Sequence, residues 1–302
     1  MAPVILKGVE VRLIDRLWRF GVSLSHINRI PATRNSFYLR LMFLISGPCV
    51  IESLDTALRV ADHLAGIRER LPLTEVIYKS SFQKDNRSSV DYFMGPGIDE
   101  GLRILSEVKR QYGFRLLTDI HYPDQAKPVA EVVDILQIPA YLCMQTTLVV
   151  EAARTGRTIN LKHGQMVAPS TMAKVCAKVE STGNRDIILT ERGYTFGYND
   201  LVVDPRAFYE LKQIGYPVVF DATHSIRKYG IPSADPAGGA RQYLETLARA
   251  AVATGIDGLF IEAHPCPSEA LCDAASQLSL EELEPMLERL LKIDAVVKGF
   301  TK

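Results

Sequence analysis

The chain has 302 residues, 35 basic and 35 acidic side chains, and is 47% hydrophobic. That length suits one large α/β domain or two ordinary ones, with ample apolar material for a core. The neutral balance gives no electrostatic ground for a nucleic-acid or anionic-membrane partner, and no apolar run reaches the ~18 residues of a membrane span.

Residues 1–41 carry six arginines (Arg12, Arg16, Arg19, Arg29, Arg34, Arg40) and two acids (Glu10, Asp15), with no strand–helix alternation. This segment reads as an N-terminal extension, best explained as translated upstream sequence with Met42 as a natural start. A transit peptide or an added helix packed on the domain are the other readings.

From Met42 onward, short β-rich runs alternate with longer helical ones. The expected strands are 43–46, 75–79, 115–119, 134–138, 158–162, 186–190, 217–221 and 258–262. Helices are expected near 54–70, 98–112, 124–132, 146–155, 170–181, 205–214, 240–254 and 280–297. Eight β/α units over ~260 residues match the count and size of a (β/α)8 TIM barrel, placed at 42–302. A doubly wound open sheet competes, but no Gly-rich dinucleotide turn follows the first strand.

A barrel carries its active site at the C-terminal ends of its strands. Those ends read Cys49; Lys79 with Lys84; Asp119 and His121; Gln137; Lys162; Arg192; Asp221 and His224; Glu262 and His264. One such residue is an ordinary solvated charge, but eight strands delivering polar groups to one mouth point to catalysis. Lys79, Lys84, Arg87, Lys162 and Arg192 predict a small-molecule substrate with several negative charges. Cys49, His224, Glu262 and Asp273 offer a thiolate, an imidazole and two carboxylates, a set suited to a borderline divalent metal. Cys49 alone reads equally well as a small buried thiol. The five cysteines are odd in number and scattered, and no secretory signal is present, so a reducing cytoplasm is expected.

The stretches SGPCVIES (46–53), YKSSFQKDNRSS (78–89), GPGIDEGL (95–102), LLTDIH (116–121), ILQIPAYLCMQT (135–146), TERGYTFGYNDLVVD (190–204), VVFDATHS (218–225) and GLFIEAHP (258–265) resemble the 3-deoxy-D-manno-octulosonate-8-phosphate synthases. The resemblance runs from about Phe43 to Phe300, with the motifs in family order. It implies a cytoplasmic homotetramer of lipopolysaccharide-sugar biosynthesis that condenses phosphoenolpyruvate with arabinose 5-phosphate. Cys49 in the GPC turn matches the metal-dependent branch, with His224, Glu262 and Asp273 as the other ligands of one Zn, Fe or Mn ion. Lys79, Lys84, Gln137, Lys162 and Arg192 match the phosphoenolpyruvate site. Asn86, Arg87 and Ser88 match the sugar-phosphate contacts. Lys84, Asn86, Asp119 and His121 are the candidates for orienting the aldehyde or moving a proton. In the implied mechanism carbon 3 of the enol phosphate attacks the aldehyde, water adds at carbon 2, and phosphate leaves by carbon–oxygen cleavage.

Four positions depart from the family. CMQTT (143–147) stands where CRQTD is usual, placing Met144 and Thr147 there; His163 replaces a lysine, and Tyr122 a glutamate. These changes are expected around the aldose end, which keeps a paralogue with a different aldose as an alternative. The sister reaction on erythrose 4-phosphate typically has KPRT where this chain reads KDNRSS. A non-catalytic sugar-phosphate-binding paralogue is disfavoured by the intact ligand and cation sets.

Overall fold

The computed structural model describes residues 41–195, 197, 200–232 and 235–300. The N-terminal extension, apart from Leu41, lies outside the described residues. The elements follow in chain order as β1 (Phe43–Gly47), α1 (Leu54–Arg70), β2 (Val76–Lys79), α2 (Ile98–Tyr112), β3 (Arg115–Asp119), α3 (Ala126–Val132), β4 (Ile135–Ile138) and α4 (Thr146–Arg154). They continue as β5 (Thr158–Lys162), α5 (Met172–Glu180), β6 (Ile187–Glu191), α6 (Pro205–Gln213), β7 (Val218–Asp221), α7 (Ala222–Ser225), α8 (Leu244–Ala253), β8 (Gly258–His264), β9 (Leu278–Ser279) and α9 (Leu280–Lys298).

Strands β1 to β8 pair in parallel in sequence order, and β1 also pairs with β8, with Phe43 opposite Gly258 and Gly47 opposite Glu262. The sheet is therefore closed, a (β/α)8 TIM barrel, and the open-sheet alternative is excluded. Two elements escaped the periodicity reading. The short α7 follows β7 directly, and β9 pairs with the end of β8 through Ala263 and Leu278.

Alternation along the strands sorts the side chains into two layers. Ile45, Ile77, Leu117, Ile135, Ile188, Val219 and Phe260 pack together as the barrel's inner plug. Their neighbours Leu44, Tyr78, Leu116, Leu136, Leu189, Phe220 and Leu259 join the helices in the larger outer core. Two residues beyond each plug residue the chain again points inward. That step reaches Gly47, Lys79, Asp119, Gln137, Thr190, Asp221 and Glu262. The period of two thus lays a polar layer on an apolar floor.

Helix signals agree with the strands. Ser53 caps α1 by accepting from Thr56 N, Asp204 caps α6 ahead of Pro205, and Ser279 with Glu282 forms a capping box on α9. The barrel's lower end is tied by Asp294 in α9, which accepts from Met42 N at 2.9 Å and pairs with Lys298 at 2.8 Å.

Candidate active site

Gly47 turns the chain out of β1 at φ +151°, and a Cβ there would lie 2.0 Å from the Lys79 carbonyl oxygen. Only glycine permits that approach. It lets Lys79 Nζ reach the carbonyl of Cys49 at 3.0 Å and bond Glu262 Oε1 at 2.5 Å. Lys79 and Glu262 are each 1% exposed, a fully buried ion pair across the β1–β8 seam. Two other lysines are also matched to carboxylates. Lys162 lies 2.6 Å from Asp221 and over the Phe260 ring at 4.4 Å, and Lys84 lies 3.7 Å from Asp119.

These pairs set the ionisation of the mouth. Burial alone would push the Asp119 carboxyl up, but Lys84, Lys79 and His121 outweigh it and hold it well below the usual range. Burial lowers the Lys162 ammonium, with Asp221 opposing, and lowers His121, with Asp119 opposing. Asp221 is held low against its burial by His224 and Lys162.

Asp221 has a second task. It caps α7 by accepting from His224 N and takes His224 Nδ1 at 2.8 Å through its other oxygen. This fixes the imidazole with Nδ1–H on Asp221 and leaves Nε2 facing Glu262 Oε2 at 3.6 Å and Asp273 Oδ2 at 3.5 Å. Asp273 Oδ2 is also 3.5 Å from Cys49 Sγ. Tetrahedral ligands about 2.0–2.3 Å from one ion lie roughly 3.3–3.8 Å from one another, so the His224–Glu262, His224–Asp273 and Asp273–Cys49 spacings each suit neighbours on one cation. Among the described residues, Cys49, Cys272 and Asp273 form one group converging within 4.8 Å, and His224, Glu262 and Asp273 another. Asp273, held at φ 48°, joins the two. The Glu262 Oε2 atom is buried and has no hydrogen-bond partner, as an oxygen reserved for a cation would be.

A model of the DAHP synthetase I family matches residues 40–298. The chain belongs to the DAHP synthetase I family. Its relatives include the 2-dehydro-3-deoxyphosphooctonate aldolases of Trichlorobacter lovleyi, 54% identical, and of Geobacter sulfurreducens and Geotalea uraniireducens, each 51% identical. Each comparison spans 259 residues, 86% of this chain and 94% of the relative.

In this member of the DAHP synthetase I family, the remaining anticipated residues fall in three places. Gln137 and His121 are buried at the mouth, and Gln137 Oε1 and both His121 ring nitrogens have no hydrogen-bond partner. Arg192 donates from Nη2 to the His224 carbonyl at 2.9 Å, while its buried Nε has no such partner. Asn86 and Ser88 are exposed on the loop after β2. Arg87 turns from that loop toward the segment after β8, donating to Cys272 Sγ at 2.8 Å and to the Leu271 carbonyl at 3.4 Å.

The changed positions fall in different surroundings. Met144 is 42% exposed, and Tyr122 donates to Asp85 on the loop after β2. His163 instead packs into the wall, with Nδ1 3.0 Å from Glu191 and Nε2 2.8 Å from the Val167 carbonyl. Strand alternation explains this, since His163 follows the inward-pointing Lys162.

Sequence reasoning passed over Cys272, and it noted Asp221 only as a strand-end acid. The DATH spacing was the available signal for Asp221, because an N-cap three residues before a histidine can reach its ring. Glu52 was also missed. It accepts from Leu271 N at 2.8 Å and meets His264 Nε2 at 3.2 Å, bracing the loop that carries Asp273. Among the described residues no helix is long and apolar enough to cross a membrane.

Proposed function

We propose that this chain is a 2-dehydro-3-deoxyphosphooctonate aldolase, condensing phosphoenolpyruvate with arabinose 5-phosphate and releasing phosphate. The observation that carries this reading is the mouth itself. Lys79, Lys84, Lys162 and Arg192 converge there with buried, unpartnered polar atoms of Arg192, Gln137 and His121. Buried polar groups are nearly always bonded, so such a cluster calls for a polar, anionic ligand. Relatives about half identical over most of the chain bear the aldolase name.

Lys84, 3.7 Å from its carboxylate, and Arg192, bonded to the His224 carbonyl, are the first to take the phosphate and carboxylate of phosphoenolpyruvate, with Lys79, Lys162 and Gln137 beside them. Asn86, Arg87 and Ser88 hold the sugar phosphate. Two anions that repel in water are thereby set side by side, which supplies the proximity part of the rate. Asn86 and Lys84 orient the aldehyde for attack by carbon 3. His121, whose charged form burial disfavours, exchanges a proton with the new alkoxide or the entering water, with Asp119 Oδ2 3.7 Å from its Nε2.

Cys49, His224, Glu262 and Asp273 hold one divalent ion, Zn, Fe or Mn, which when bound supplies Lewis-acid polarisation of an oxygen at the mouth. The support is the donor spacing and the orphaned Glu262 oxygen. The working form is a homotetramer in a reducing cytoplasm, by resemblance to the family.

Phosphate release from phosphoenolpyruvate, measured with arabinose 5-phosphate, erythrose 4-phosphate and free aldoses, tests the function. Arabinose 5-phosphate is expected to be the best substrate. Preference for erythrose 4-phosphate would transfer the chain to the sister reaction, and no release with any aldose would make it a binding protein. A strong chelator is expected to abolish turnover, and full activity of metal-free protein would overturn the metal assignment. Light scattering tests the tetramer.

A further inference from the structure

Cys49 and Cys272 stand 223 positions apart in sequence, yet their sulfurs are 2.9 Å from one another. Both are buried, at 0% and 2% exposure, and both are free thiols. A single side chain clamps them. Gln277 accepts from Cys49 N at 3.2 Å and donates to the Cys272 carbonyl at 2.8 Å. From the other side, Arg87 Nη1 donates to Cys272 Sγ at 2.8 Å. A disulfide bond is about 2.05 Å long, so closure requires the sulfurs to approach by about 0.9 Å. The remaining cysteines, Cys143, Cys176 and Cys266, lie on the turn after β4, on α5 and just beyond β8.

We propose that Cys49 and Cys272 form a peroxide-sensitive pair that closes to a disulfide in the metal-free protein, and that a metal held by Cys49 prevents closure. The disulfide rests on the thiol pair alone; the protection rests on the metal reading above. In the step, one sulfur attacks the O–O bond of hydrogen peroxide, giving a sulfenic acid and a first water. The second thiol then attacks that sulfur, its S–O bond breaks, and a second water leaves as the S–S bond forms. Two thiols give up two electrons and two protons, and one peroxide becomes two waters. Peroxide enters from the mouth, where the Asp273 side chain beside Cys49 is 15% exposed. The consequence is chemical insurance. A metal ligand with no thiol neighbour climbs to the irreversible sulfinic acid, whereas this one stops at a bond that thiol reductants reopen.

The test uses the full chain, zinc-loaded and zinc-stripped, treated with hydrogen peroxide. It is read by free-thiol count, intact mass and peptide mapping. Stripped protein is expected to lose two of its five free thiols, yield a Cys49–Cys272 crosslinked peptide, and fail to rebind zinc until reduced with dithiothreitol. Zinc-loaded protein is expected to keep both thiols over the same exposure. Cys272→Ala is expected to replace the crosslink by sulfinic acid at Cys49, whereas Cys143→Ala and Cys176→Ala leave the crosslink unchanged. Oxidation of Cys49 in stripped wild type without a crosslink to Cys272 would overturn the proposal without touching the metal reading. Failure of the reduced protein to bind zinc would overturn the metal reading and the protection, and leave the crosslink standing.

Discussion

Asp221 holds Nδ1 of His224 at 2.8 Å and so aims Nε2 between Glu262 and Asp273. The carboxylate selects the tautomer and the ring orientation together. Asp221→Asn keeps the shape but loses the charge that favours Nδ1–H. Zinc affinity is expected to fall about 10- to 100-fold, the usual cost of losing such a partner, as measured by competition with a coloured chelator. Unchanged affinity would mean that α7 alone positions the histidine.

Lys79 and Glu262 form a buried ion pair at 1% exposure each. Removing one charge strands the other in the interior. Lys79→Met is expected to cost about 3–5 kcal/mol in urea unfolding of metal-free protein. Adding Glu262→Gln should recover part of that loss, because no uncompensated charge remains. Purely additive effects would show the pair to be independent.

Gly47 admits no side chain, since the added Cβ would sit 2.0 Å from the Lys79 carbonyl oxygen. Gly47→Ala is expected to destabilise the barrel by about 1–3 kcal/mol or more, and to displace Lys79 enough to raise KM for phosphoenolpyruvate. Thermal unfolding and steady-state kinetics check the two parts separately.

Glu245 on α8 bonds Arg289 of α9 and Arg249 of its own helix, and its carboxyl is lowered from 4.5 to about 2, mainly by the Arg289 bond. A folded-state value below the unfolded one contributes stability above about pH 4.5, which is lost as pH falls through about 2. Because the side chain is 30% exposed, solvent screening holds the contribution to about 1 kcal/mol. Glu245→Gln should therefore be less stable than wild type at pH 7, with the gap closing in acid. A gap that persists at low pH would assign the effect to packing.

All eight barrel strands and their helices were legible because each is a short apolar run punctuated by Gly, Pro or Asp, and because a closed barrel repeats that unit with little variation. Strand boundaries agreed to within about two residues. The strand-end residues were legible for the same reason, since position after a strand predicts the mouth. What could not be read was which partner each charge would choose. Lys79 and Glu262 are 183 positions apart, and Cys49 and Cys272 are 223 apart, so only the closed barrel brings them together. His163 shows the opposite failure. Adjacent to Lys162 in sequence, it faces the other side of the strand, where a departure from the family has a packing meaning rather than a substrate one.

The seam between β1 and β8 joins the first strand of the barrel to the last, and the candidate metal centre sits astride it. Cys49 lies just past the end of the first, Glu262 belongs to the last, and Asp273 and Gln277 lie in the segment that follows. A chain emerging from the ribosome therefore makes most of its barrel before it makes the site. A partly synthesised form that stops short of β8 lacks Glu262 and Asp273, half of the candidate ligand set. Non-local closure of this kind is slow compared with helix formation. On the metal reading proposed above, metal uptake would report complete ring closure, since the mouth is complete only once the two ends of the domain have met.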